Sequence, residues 1–139
     1  MRANQLIFLM LLSSLRALGQ QGINIECISS FDSLSGRVIY SKANAMPEYI
    51  GGTVELLRYF QKFYRQPSDP NDFQGSFHFE FVVEIDGTVS GIRIRNKNLK
   101  EKTPAEKEAL RVLKNMPKWI PGRCDNELVP VKIQLPIKF

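Results

Sequence analysis

The chain has 139 residues, 43% of them hydrophobic and 24% charged, which bounds it to one domain or two and excludes a disordered or fibrous class. Two Cys and one His exclude a disulfide-dense scaffold and a multi-His metal site. The formal charge of +5 points toward nucleic acid or an anionic surface, until the N-terminus is read.

Arg2 opens a short positive segment, and Leu6 to Leu12 is an unbroken apolar run. That run falls far short of the ~20 apolar residues of a membrane span. Ala17 and Gly19 supply the small residues that a signal peptidase reads. Residues 1–19 are therefore expected to be a signal peptide, with the mature chain starting at Gln20; an uncleaved anchor is the alternative. Losing Arg2 and Arg16 removes two charges from +5 and leaves +3, so nucleic acid is dropped as a partner. Export places Cys27 and Cys124 in an oxidising compartment, where they are expected to bridge the N-terminal extension to a late loop. The other reading is two unrelated buried thiols, and the separation that decides between them is not written in a sequence.

Residues 20–45 form a β-prone extension. Ile23, Ile25 and Cys27 alternate, Arg37-Val38-Ile39-Tyr40 is a second strand-like piece, and Ser29 to Gly36 reads as loop. Residues 46–139 read as the domain proper, opening on the turn Met46-Pro47-Glu48-Tyr49-Ile50-Gly51-Gly52. A helix is expected over Thr53–Gln66, with Leu56, Leu57, Phe60, Phe63 and Tyr64 as its apolar stripe and Pro67 as its stop. From Phe77 to Ile85 every odd residue is apolar, while His78, Glu80 and Glu84 face the other way. Asp86-Gly87 is a two-residue hairpin signal, because its turn needs positive φ. In the return strand, Thr88 to Arg95, the apolar phase slips from Val89 to Ile92 and Ile94. A β-bulge at Ser90-Gly91 accounts for the slip. Thr103-Pro104-Ala105-Glu106 combines a cap, a first-turn proline and a capping box. The helix it opens buries Ala109, Leu110, Leu113 and Met116 and stops at Pro117. Trp119, between Pro117 and Pro121, is expected to be buried and to fix the connection to the last strand, Leu128 to Phe139.

The element order is helix, strand, strand, helix, strand. It predicts an α+β fold in which a three-stranded antiparallel sheet packs against two helices.

Five motifs in this order resemble the TonB C-terminal domain. They are Met46-Pro47-Glu48-Tyr49-x-Gly51-Gly52, Gln74-Gly75 with Phe81-Val82-Val83-x-x-Asp86-Gly87-x-Val89, Ala109-Leu110-Arg111-Val112, Met116-Pro117-Lys118-Trp119-x-Pro121-Gly122, and Val129-x-Val131-x-x-x-Leu135-Pro136-Ile137-x-Phe139. The resemblance covers residues 38 to 139. It implies the fold already read from periodicity, a periplasmic or envelope location, and a partner that is an outer-membrane receptor peptide or another envelope protein. A homodimer is left open.

Catalytic readings lack their constellations. His78 has no nucleophile motif to serve, and Glu80 and Glu84, which share its face, read as solvated carboxylates rather than a glycosidase pair. No ligand spacing for zinc or calcium and no phosphate loop occurs, so neither a cofactor nor a small-molecule substrate is expected. Arg93, Arg95, Lys97, Lys100 and Lys102 read as a solvated basic edge.

The last strand suggests a mechanism. Alternate residues of a strand send their N–H and C=O groups to opposite edges. Pro130 and Pro136 are both even, as are Lys132 and Gln134. A proline cannot donate to a ladder, so the even residues face an outer edge and the odd ones pair inward. Prolines and lysines there protect against aggregation. By resemblance, the same edge accepts an extended peptide by β-augmentation between Pro130 and Pro136. The expected product is a non-enzymatic binding module of TonB-dependent transport. The alternative is a structural or inhibitory envelope protein that uses the fold without a transport role.

Overall fold

A computed structural model describes residues 25–68, 75–95 and 102–138. The signal segment with its cleavage point, residues 69–74 of the first loop, Lys97 and Lys100 of the basic run, and Phe139 lie outside the described residues.

The elements are β1 (Ile28–Asp32), β2 (Arg37–Lys42), α1 (Gly52–Phe63), β3 (Ser76–Val83), β4 (Val89–Ile94), α2 (Pro104–Lys114), β5 (Gly122–Cys124), β6 (Glu127–Val129) and β7 (Val131–Lys138). The large sheet has the order β1-β2-β7-β3-β4. β7 pairs antiparallel with β3 along its whole length, from Ser76 opposite Lys138 to Val83 opposite Val131. The expected three antiparallel strands are therefore the β7-β3-β4 part of a five-stranded mixed sheet. The expectation fell short because β1 and β2 join as a hairpin, with β2 parallel to β7 at Tyr40 and Val131.

Alternation decides the faces. Phe77, Phe79, Phe81 and Val83 are buried under the helices, against Leu56 and Phe60 of α1 and Ala105, Ala109, Leu110 and Leu113 of α2. α2 begins as its residues dictate: the Thr103 hydroxyl accepts from the Glu106 N–H, and the Glu106 carboxylate accepts from the Thr103 N–H. α1 ends three residues before the expected Gln66. Tyr64 takes an extended conformation and stacks its ring on Phe60, with centroids 5.2 Å apart.

The β3–β4 connection is a three-residue loop rather than the expected two. Glu84 N–H donates to the Thr88 carbonyl and Gly87 N–H to the Glu84 carbonyl, which encloses Ile85, Asp86 and Gly87. Gly87 takes φ 83°, the left-handed conformation that closes such a loop. Ile85 thereby leaves the strand and is exposed. The bulge lies at Gly91, where the register steps from Glu80 opposite Arg93 to Val82 opposite Ser90.

The last strand is shorter than expected. Pro130 interrupts it, and the residues before it form a ribbon of β5 and β6 turned by Asp125 and Asn126, both at positive φ. Cys27 and Cys124 are joined in a disulfide, with their Cα atoms 6.2 Å apart. It ties the foot of β1 to the end of β5. Beside it, Ala45 and Arg123 exchange backbone hydrogen bonds of 3.1 and 2.9 Å.

Candidate functional site

The direction of the backbone groups follows from two hydrogen bonds. The Arg95 N–H donates to the His78 carbonyl at 2.8 Å, and the Glu84 N–H to the Thr88 carbonyl at 2.8 Å. Even residues of β3 therefore point toward β4, and odd residues toward β7. Since Phe79 lies opposite Leu135 and Phe81 opposite Ile133, the odd residues of β7 pair with β3 and the even ones point outward. Pro136, opposite His78, gives up no ladder bond by lacking an N–H.

The outward edge has two halves. In the first, β2 is already seated: the Tyr40 N–H donates to the Pro130 carbonyl at 2.9 Å. A parallel bridge of this register also directs the Lys132 N–H to the Tyr40 carbonyl. The slot expected between Pro130 and Pro136 is thus filled at its Pro130–Lys132 end by the chain's own extension. No sequence signal announces this, because one parallel bridge between residues 40 and 131 leaves no local pattern. The second half, Gln134 to Lys138, has no strand beside it among the described residues. Gln134, Pro136 and Lys138 are exposed there, while Ile133 and Leu135 are half-buried toward the helices.

The face of the sheet away from the helices is polar and carries the even side chains. Lys132 reaches Asp32 at 3.5 Å and Glu80 at 3.8 Å, Arg93 donates to Glu80, and Arg95 donates to the Gln134 side-chain oxygen at 3.2 Å. The tip of the β1–β2 hairpin lies beside this face and borders a half-open cavity of about 330 Å³ lined in part by Leu34, Ile39, Val82 and Gly91. Arg37 clasps Glu84 through both carboxylate oxygens, and Ser90 also donates to Glu84. No local sequence signal marks Arg37 and Asp32; their position in the hairpin tip gives them meaning.

The Arg37 guanidinium holds the Glu84 carboxyl below its ordinary range, with Ser90 adding and burial opposing. Asp32 is likewise lowered, chiefly by hydrogen bonds from Ser35. Such stability is fully present above the carboxylates' unfolded pKa and is lost as pH falls through the lowered folded values. Acidification should therefore loosen the hairpin tip first. Amide protection factors at Ile39 and Tyr40, corrected for the intrinsic pH dependence of exchange, should fall, and Glu84→Gln should shrink the acid step. An acid step unchanged in Glu84→Gln would assign the loosening to other groups.

Three further residues singled out in the sequence meet at one corner. The Trp119 N–H donates to the Gly87 carbonyl at 2.8 Å, and the Asp86 carboxylate accepts from both the N–H and the hydroxyl of Thr88. The Trp119 ring packs edge-on against Tyr49 at 5.5 Å and Phe81 at 5.4 Å and is 7% exposed. This corner supports the sheet and lies away from the outward half of β7. Among the described residues no group of acidic, His or Cys side chains has a metal-binding arrangement.

A family model described as the Gram-negative bacterial TonB protein C-terminal matches residues 61–139. No curated protein and no solved structure matches.

Proposed function

The chain belongs to the TonB C-terminal family, and from that membership we propose that it is an exported, non-enzymatic module that captures an extended peptide of an envelope protein on the outward edge of β7. An outer-membrane receptor segment is the partner that the family suggests. The observation that carries this reading is the run from Gln134 to Lys138, which has no strand beside it among the described residues and whose even residues point their backbone groups away from β3. It supports β-augmentation, in which main-chain bonds supply affinity and neighbouring side chains supply selectivity.

The available bonds are few. Gln134 and Lys138 offer donors and Pro136 offers its carbonyl only, at a net of roughly 0.5–1.5 kcal/mol per bond. Affinity from the backbone alone is therefore weak. The substitution Gln134→Pro removes an outward donor and no bond to β3, whereas Ile133→Pro removes a bond of the inner ladder. The first variant should fold near-normally and lose peptide binding, and the second should fold poorly. Equal loss of thermal stability in both would contradict this edge assignment. Full peptide binding by a folded Gln134→Pro variant would place the binding edge elsewhere, and no peptide binding by the unaltered protein would favour the second reading, a structural or inhibitory envelope protein. Export itself is tested by intact-mass analysis, which should find a mature chain beginning at Gln20.

A further inference from the structure

We propose that the segment captured on the β7 edge is a short strand alternating apolar and acidic residues, a selectivity that rests on the binding edge assigned above. A strand laid along Gln134–Lys138 must send its side chains alternately to the two faces of the sheet. The faces differ sharply.

On the helix side the strand would lie beside Ile133 and Leu135, both half-buried although they belong to the middle of β7. α1 contributes Leu56 and Phe60 to the same apolar cluster as these two residues. Tyr59 and Phe63 mark its flank toward α2, since the Tyr59 hydroxyl donates to the Val112 carbonyl at 3.2 Å and Arg111 donates to the Phe63 carbonyl at 3.0 Å. At 100° per residue, Leu57 is turned about 160° from Tyr59, onto the opposite flank. α2 packs over β4, so that opposite flank lies over the β7 side of the sheet. Leu57 is 38% exposed there. Ile133 and Leu135, with Leu57 on the flank of α1 turned from α2, offer apolar surface to alternate residues of a partner.

On the other face cations outnumber carboxylates. Arg95 stands over Gln134, Lys138 ends the strand, and Lys42 ends β2 at the point where the free half begins. The nearest carboxylates are already engaged: Glu80 with Arg93 and Lys132, and Asp32 with Lys132 and Ser35. A partner carrying carboxylates at alternate positions meets cations there, and a basic partner is repelled. Arg95 offers a planar fork that fits a carboxylate with two parallel bonds once it leaves Gln134.

The test uses three seven-residue peptides, Val at odd positions and Glu, Gln or Lys at even ones, titrated against the mature protein by calorimetry at low and high salt. The Glu peptide should bind roughly three- to tenfold more tightly than the Gln peptide at low salt, the advantage of two or three exposed charge contacts. The Lys peptide should bind weakest, and the differences should shrink with salt. The double variant Arg95→Glu with Lys138→Glu should invert the ranking. Lys138→Glu alone, at an exposed strand end, should reduce it if the double variant folds poorly. Equal binding of all three peptides would overturn the acidic preference and leave the edge intact. Binding by none of them would overturn the edge reading and this inference together.

Discussion

Trp119→Ala is expected to lower unfolding free energy by about 3–5 kcal/mol, the cost of emptying a site that cannot collapse. The ring sits between Tyr49 and Phe81, and its backbone is held to Gly87. Pro117 and Pro121 flank it and leave the chain little freedom to close the gap. The indole N–H finds no acceptor among the described residues, so Trp119→Phe should cost much less than Trp119→Ala. Gly87 tests the same corner from the other side. A Cβ there would lie 2.3 Å from the Trp119 carbonyl oxygen, at a φ that L residues rarely adopt. Gly87→Ala should therefore be nearly as damaging as the loss of the ring. Denaturant midpoints of the three variants decide this. An unchanged midpoint in Trp119→Ala would mean that the corner does not hold the sheet.

Removing the disulfide is the second large effect. Cys27 and Cys124 are 97 residues apart, and opening a closed loop of that size typically costs 2–5 kcal/mol. The loss should fall unevenly. β1 is held mainly by its partner β2 and by this bond, whereas β2 is also fixed by the Arg37 clasp and by Ala45 beside Arg123. The double substitution to Ser should therefore raise amide exchange in β1 before β3 or β7. Thiol titration of the denatured, unreduced protein should find no free thiol. Two free thiols would remove this prediction and its premise.

The sequence was most legible where chemistry is local. The Thr103–Glu106 capping box, the slip at Ser90-Gly91 and the alternation of Phe77 to Val83 all follow from residues within one element. The outward direction of the even residues of β7 was also legible, because Pro130 and Pro136 cannot donate whatever lies beside them. What lies beside them was not legible. The pairing of Tyr40 with Val131 joins strands 91 residues apart through one bridge, and such a contact leaves no periodic trace. Ile39 is buried in a strand whose neighbour Val38 is exposed, an alternation too short to read against its loop. The β5–β6 ribbon carries a signal, the turn-forming pair Asp125-Asn126, but the apolar alternation that follows it dominates the pattern. Likewise Ile85 extends the apolar pattern of β3 by one residue, yet the three-residue turn claims it.

For the proposed site, the consequence is that the edge left open by β2 is shorter than Pro130 to Pro136 and displaced toward the C-terminus. Pro130 and Lys132 serve the internal strand β2, and Gln134, Pro136 and Lys138 remain for a partner. The sheet also presents two other outer strands, β4, bulged at Gly91, and β1, five residues long. The bulge blunts β4 as a pairing edge, whereas β1 is as long as the free run of β7 and is the competing edge for a partner strand.

Amide hydrogen exchange, read residue by residue by NMR with and without the acidic peptide, tests the assignment to β7 most directly. Bound peptide should slow exchange at the Gln134 and Lys138 amides, the outward donors beyond β2, and leave the already bonded Ile133 and Leu135 little changed. Protection confined to β4 between Val89 and Ile94, or to β1 between Ile28 and Asp32, with Gln134 unaffected, would contradict it.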